Sequence, residues 1–170
     1  MRALVPHRGS IGVLAPSFGM YDHFANACGV EVRRVPARDV LPTDALAALR
    51  ADAYFVPSPN NPTGAAFPRS AFEVLIGRVE VPVIVDEAYA EFARQDLRSL
   101  AGPDGRTIVT RTFSKAYGLP GVRVGYALGP AILLDRMRAI RMPYNLGSWS
   151  ERAALAALAD GAFVDRAVSF

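Results

Sequence analysis

Ala53-Tyr-Phe-Val-Pro57-Ser58-Pro-Asn-Asn-Pro-Thr-Gly64 is a short apolar run that breaks at once into a turn of asparagines, prolines and a glycine. Aromatic and β-branched residues favour a strand, and Asn-Pro and Thr-Gly favour a turn, so the stretch reads as a strand ending in a polar loop. The pattern recurs along the chain. Ile11 to Ala15 runs into Pro-Ser-Phe18-Gly-Met-Tyr21, Val83 to Asp86 into Glu-Ala-Tyr89, and Arg106 to Arg111 into Thr-Phe-Ser114-Lys115-Ala-Tyr-Gly118. Val30 to Val35 and Arg123 to Leu128 complete six expected strands. Between them, Thr43 to Arg50 and Pro68 to Gly77 space Leu46, Leu49, Phe72, Leu75 and Ile76 at helical intervals. Strands alternating with helices give the α/β class, a mostly parallel open sheet with helices on both faces. After Gly129-Pro130 a helix is expected through Met137, then a turn at Met142-Pro143 and an Ala-Leu-rich helix capped by Ser148 or Ser150. That last helix, within 146–170, is expected to leave the sheet core of 1–145. Met1 is expected to begin inside a helix and Phe170 to end inside one.

The 170 residues are 51% hydrophobic, enough to bury a core within one domain. The formal charge is +3, but the arginines are spread along the chain with no basic patch interleaved with stacking aromatics, which argues against nucleic-acid binding. Cys28 has no disulfide partner, and His7 and His23 make no metal-ligand cluster, so a reducing cytoplasm fits and no metal is expected. No apolar stretch approaches the roughly 18 residues needed to cross a bilayer, so no membrane partner is expected.

Among nineteen lysines and arginines, Lys115 is the one lysine. A primary amine condenses with a carbonyl to form a Schiff base, which a guanidinium does not do. An arginine-rich coding bias with one leftover lysine is the alternative. Asn60 and Asn61 fall at the carboxyl edge of the expected sheet, where α/β proteins bind ligands, although the same residues form ordinary turns. Asp86 ends a buried strand with Tyr89 three residues on, and reads as a functional acid, a metal ligand or a salt-bridged structural residue. The Ser114 hydroxyl, the Lys115 amine and the Arg123 guanidinium surround a glycine-bearing turn and suit a phosphate and an aldehyde. Thr112 is a weaker phosphate candidate, and Arg111 reads as structural. Phe18 and Tyr21 either stack on a flat heterocycle or belong to the core. The chain has neither G-x-x-x-x-G-K-[ST] nor G-x-G-x-x-G, which disfavours a nucleotide site.

In their order, Pro-Ser-Phe-Gly-Met-Tyr, Ser-Pro-Asn-Asn-Pro-Thr-Gly, Val-Asp-Glu-Ala-Tyr and Arg-Thr-Phe-Ser-Lys-Ala-Tyr-Gly-Leu-Pro-Gly-Val-Arg-Val-Gly-Tyr resemble the fold type I pyridoxal-phosphate enzymes. Among these the chain most resembles the histidinol-phosphate aminotransferases, and Met142-Pro-Tyr-Asn-Leu-Gly-Ser resembles their link between large and small domains. The likeness covers about Leu4 to Ala159. It implies pyridoxal 5′-phosphate as cofactor, with a small-molecule amino donor and a 2-oxo acid such as 2-oxoglutarate as substrates, and a homodimer once the fold is completed. By resemblance, Lys115 is the covalent anchor and catalytic base, and Asp86 pairs with the pyridinium nitrogen. Asn61 and Tyr89 hold the phenolic oxygen, Phe18 stacks on the ring, and Ser114 and Arg123 grip the phosphate. The resemblance further implies that residues 1–145 are a large-domain core without its first strand and phosphate loop, and that 146–170 leads toward a small domain not included here. A lyase or decarboxylase on the same fold, or a remnant without turnover, are the alternatives.

Overall fold

The structure is a computed structural model that describes residues 1–169. Six strands form one sheet: β1 (Ser10–Ala15), β2 (Glu31–Pro36), β3 (Ala53–Pro57), β4 (Val83–Asp86), β5 (Thr107–Thr112) and β6 (Gly125–Leu128). Their spatial order is β2-β1-β3-β4-β5-β6, with β6 alone antiparallel. Six α-helices accompany them: α1 (Met20–Cys28), α2 (Thr43–Ala48), α3 (Arg69–Arg78), α4 (Ala131–Ala139), α5 (Ser148–Ala159) and α6 (Gly161–Ala167). Among the described residues no helix is long and apolar enough to cross a membrane.

Two cores lie on opposite faces of the sheet. Leu14, Val56, Val83, Val85 and Val109 pack against Leu46 of α2 and Phe72 and Leu75 of α3. The alternate residues Ile11, Val13, Ala53, Ile84 and Ile108 pack against Tyr21 and Ala25 of α1 and Leu133 of α4. The two-residue repeat of a strand divides the side chains between the faces. Each large side chain buried there stabilises the fold by about 1.5–3 kcal/mol. Gly12 is required by this packing, because a Cβ at that position would stand 2.5 Å from the Tyr54 ring.

The six expected strands are all present, within two residues at their ends. Arg123 and Val124 fall outside β6 because the one-turn 3₁₀ helix Pro120–Val122 ends with Arg123 in the left-handed region at φ 56°, which delays the strand. Other expectations need correction. Neither Ser148 nor Ser150 caps α5; Gly147 holds the cap position, and no side chain bonds the helix start. The expected single C-terminal helix is two, because Asp160 ends α5 and its carboxylate accepts from the Phe163 amide to start α6. The chain start forms turns, with the Val5 amide bonded to the Met1 carbonyl, and not a helix. Phe170 lies outside the described residues. Helix α1 was not anticipated, although Gly29 in the left-handed conformation after it is a common helix stop.

Candidate active site

The parallel register brings the ends of β1, β3, β4 and β5 to one edge, with Pro57 beside Asp86 and Asp86 beside Thr110. The loops that follow these strands carry the expected site residues. Asp86 is half-buried, and its two oxygens are used separately: the Tyr21 hydroxyl donates to Oδ2 at 2.7 Å and the Ala88 amide to Oδ1 at 3.1 Å. Among the described residues it joins no ion pair, so the salt-bridged reading of Asp86 is not what the structure contains. Burial, and then Asp86 itself, raise the Tyr21 phenol far above its ordinary range and keep it the proton donor of this bond. Phe18 lies edge-on to Tyr21 with ring centroids 5.8 Å apart and remains 44% exposed. Phe18 is therefore not a core residue, whereas Tyr21 is a core residue bonded to Asp86.

Asn60 and Asn61 separate clearly. Asn60 is buried; its Oδ1 accepts from Ser17 Oγ at 2.9 Å, and its Nδ2 donates to the Pro16 carbonyl at 3.1 Å and to Thr63 Oγ1 at 2.9 Å. These bonds occupy the amide and make Asn60 a loop anchor. Asn61 is half-buried, and among the described residues its side chain makes no hydrogen bond. With Pro59, Pro62, Tyr89 and Phe92 it lines an open depression of about 420 Å³. Lys115 approaches Tyr89 from the β5 side: its ammonium stands 5.0 Å from the centroid of the Tyr89 ring, a cation–π distance. Tyr89 thus stands between Asn61, with which it lines the depression, and Lys115, and Asp86 ends the strand that leads into the Tyr89 segment.

The phosphate candidates lie further apart. Ser114 follows β5, and its amide donates to Thr112 Oγ1 at 3.1 Å, so the Thr112 hydroxyl shapes the turn. Arg123 is exposed; its guanidinium donates to the Pro120 carbonyl at 2.7 Å, and it lines a different, larger depression of about 820 Å³ beneath β5 and β6. Arg111 agrees with its structural reading. It pairs with fully buried Glu87 at 2.8 Å and reaches Glu91 and Asp96 at 3.4 Å. Burial raises the Glu87 carboxyl, and the bonds from Arg111 and from the Leu97 amide oppose that rise. The Asp96 carboxyl is held down to about 2, first by its hydrogen bond from Arg98. Among the described residues no three His, Cys, Asp or Glu side chains are grouped to hold a metal.

Sequence reasoning placed Tyr21 in the pocket without its partner. The signal was its spacing of three from Phe18, whose ring, just ahead of helix α1, meets Tyr21 edge-on.

The sequence matches the family described as aminotransferase class I and II over residues 1–170. It is 41% identical over 174 residues to histidinol-phosphate aminotransferase 1 of Cupriavidus pinatubonensis, covering 96% of this chain and 46% of that protein. The histidinol-phosphate aminotransferase of Sinorhizobium meliloti, solved in complex with pyridoxal-5′-phosphate, superposes with a TM-score of 0.87 at 25% identity, covering 98% of this chain and 48% of that one. L-threonine-O-3-phosphate decarboxylase from Porphyromonas gingivalis shares the fold at a TM-score of 0.84 and 23% identity, over 96% of this chain and 50% of that one. The chain spans about half the length of these relatives. From the strand-end motifs and the matched length together, the chain belongs to the class I and II aminotransferases.

Proposed function

We propose that this chain supplies the cofactor-binding residues of a pyridoxal-phosphate-dependent aminotransferase, acting on histidinol phosphate or a similar amino donor with 2-oxoglutarate as acceptor. The observation that carries this reading is the place of Tyr89 between Asn61, with which it lines one depression, and the Lys115 ammonium 5.0 Å from its ring, beside the strand end that bears Asp86. The donor set fits the cofactor: an exposed primary amine, an acid without a cationic partner, an unbonded amide, a phenol and an exposed ring. When bound, pyridoxal phosphate supplies an aldehyde that condenses with amines and a protonated ring that accepts electrons from the substrate's α-carbon.

The chain's own residues would divide the remaining work. Lys115 would hold the aldehyde carbon and, once displaced by the substrate amine, carry a proton to and from the α-carbon. Asp86, with Tyr21 and the Ala88 amide fixing its two oxygens, would hold a proton on the ring nitrogen. Asn61 and Tyr89 would donate to the phenolic oxygen, Phe18 would cover one face of the ring, and Ser114 and Arg123 would meet the phosphate. On this reading residues 1–145 are the large-domain core and 146–170 leads out of it. Exposed Met142, Tyr144, Trp149 and Leu155 support pairing as a homodimer. The single cysteine supports a reducing cytoplasm.

A second reading, cofactor binding without turnover, is favoured by one observation: no arginine lines the depression beside Tyr89 among the described residues, so no guanidinium there would pair with a substrate carboxylate. A titration with pyridoxal phosphate followed by visible absorbance tests the cofactor assignment. Lys115→Ala should abolish the bound-cofactor band, and Asp86→Asn should weaken binding by about tenfold or more. Unchanged binding in both variants would refute the assignment. Amino transfer from histidinol phosphate by the wild-type chain would decide against the second reading.

A further inference from the structure

Asn61 lines the crevice but makes no side-chain bond of its own, so its neighbours must set its position. The loop 58–67 that carries it is bonded at its tip, where the Asn60 amide meets the Ala65 carbonyl at 2.8 Å and the Gly64 amide meets the Asn60 carbonyl at 2.7 Å. Its base is closed by a residue from another loop. Ser58 Oγ accepts from the Phe67 amide at 2.9 Å and donates to Gln95 Oε1 at 2.9 Å, while Gln95 Nε2 donates to the Phe67 carbonyl. One primary amide therefore bonds both ends of the loop. Ser58 and Phe67 are fully buried, so water does not substitute for these bonds without the loop opening. Gln95 is itself fixed. Its amide donates to the Ala90 carbonyl at 3.0 Å, and its carbonyl accepts from Arg111 at 3.3 Å, which ties it to the buried Arg111–Glu87 pair. Residues 87–95 also carry Tyr89, the other wall of the crevice.

We propose that Gln95 is a positioning residue: clamped to Ser58 and Phe67, it sets the distance between the Asn61 loop and the Tyr89 segment, and so presents Asn61 to the phenolic oxygen of the cofactor. This rests on the cofactor reading above. A side chain of similar length without a donor and acceptor would fill the space and leave the loop base open.

The test uses the full chain with Gln95→Met, Asn61→Ala and the double variant. Hydrogen exchange at the Phe67, Asn60 and Gly64 amides should accelerate about tenfold in Gln95→Met, while amides of β3 and β4 keep their rates. The pyridoxal phosphate dissociation constant should rise about tenfold in Gln95→Met and by less than about twofold when the same change is made on Asn61→Ala, because Gln95 acts through Asn61. Equal losses in the two backgrounds would overturn the positioning role, and unchanged exchange would overturn the clamp itself. If the wild-type chain takes up no cofactor while Gln95→Met still frees the loop, the cofactor reading fails and the clamp stands.

Discussion

The central strand ends and the β6 side of the molecule are built to different standards. Behind β3 and β4, the anchoring groups are bonded and most are buried: Ser58 and Glu87 are fully buried, Asn60 nearly so, and Arg111 is bonded by a carboxylate on each of three residues. Beyond β5, Met142, Tyr144 and Trp149 are 76%, 101% and 81% exposed, and Arg123 is bonded to one carbonyl of its own turn. The difference teaches where preorganisation resides. Asp86, Tyr89 and Asn61 belong to the rigid side, whereas Lys115 and Arg123 project from loops nearer the open one.

The largest expected effect lies in the buried ion pair. Glu87→Ala leaves Arg111 without its closest counter-charge in a site where the Arg111 side chain is 8% exposed, and should cost about 3–5 kcal/mol of unfolding free energy in urea titrations. A loss below about 1 kcal/mol would mean that the rigid side does not depend on this pair. Gly12→Ala follows: the added methyl meets the Tyr54 ring and should cost about 1–3 kcal/mol by thermal unfolding.

Tyr21 sharpens the comparison through pH. Its ionisation lies above the ordinary value of 10.0, so the fold retains a proton that the unfolded chain loses. Its contribution is complete below pH 10 and declines as pH rises beyond it, by up to about 1.4 kcal/mol per unit. Tyr21→Phe should cost about 1–2 kcal/mol at pH 8 by loss of the bond to Asp86. It should also flatten the alkaline fall, measured by urea titrations at pH 8 and 10.5. An unaltered slope would mean that Tyr54 and Tyr117, also raised first by burial, account for the whole of it. The smallest effect belongs to the open side: Trp149→Ser should change stability by no more than about 0.5 kcal/mol, and a larger loss would mean that this face is packed in solution.

β1, β3, β4 and β5 were legible because each holds a compact apolar run closed by a turn, and their two-face burial follows from that run. Helix α1 was harder, since Phe18 and Tyr21 read as ring chemistry or core before Tyr21 read as part of a helical face; only Tyr21 and Ala25 are buried in it. The placement of Asn61, Asp86, Tyr89 and Lys115 at or just after the ends of β3, β4 and β5 was legible from the apolar runs that precede them. The split between Asn60 and Asn61 was not, because adjacent identical residues carry no sign of which amide the loop consumes. Gln95 gave no signal either. Its role depends on two loops meeting across 28 residues of sequence between Phe67 and Gln95, a contact that no local spacing encodes. The single break at Asp160 likewise turns on one carboxylate choosing the Phe163 amide over solvent.

Treating the chain with pyridoxal phosphate and borohydride, then mapping the labelled peptide, tests the central claim most directly, because only two kinds of amine compete. One is Lys115; the other is the Met1 α-amine, whose pKa burial lowers and which is therefore a real competitor. The expected result is stoichiometric label on Lys115, lost in Lys115→Ala. Label confined to Met1, or spread equally between the two, would contradict the assignment of the crevice beside Tyr89 as the cofactor site.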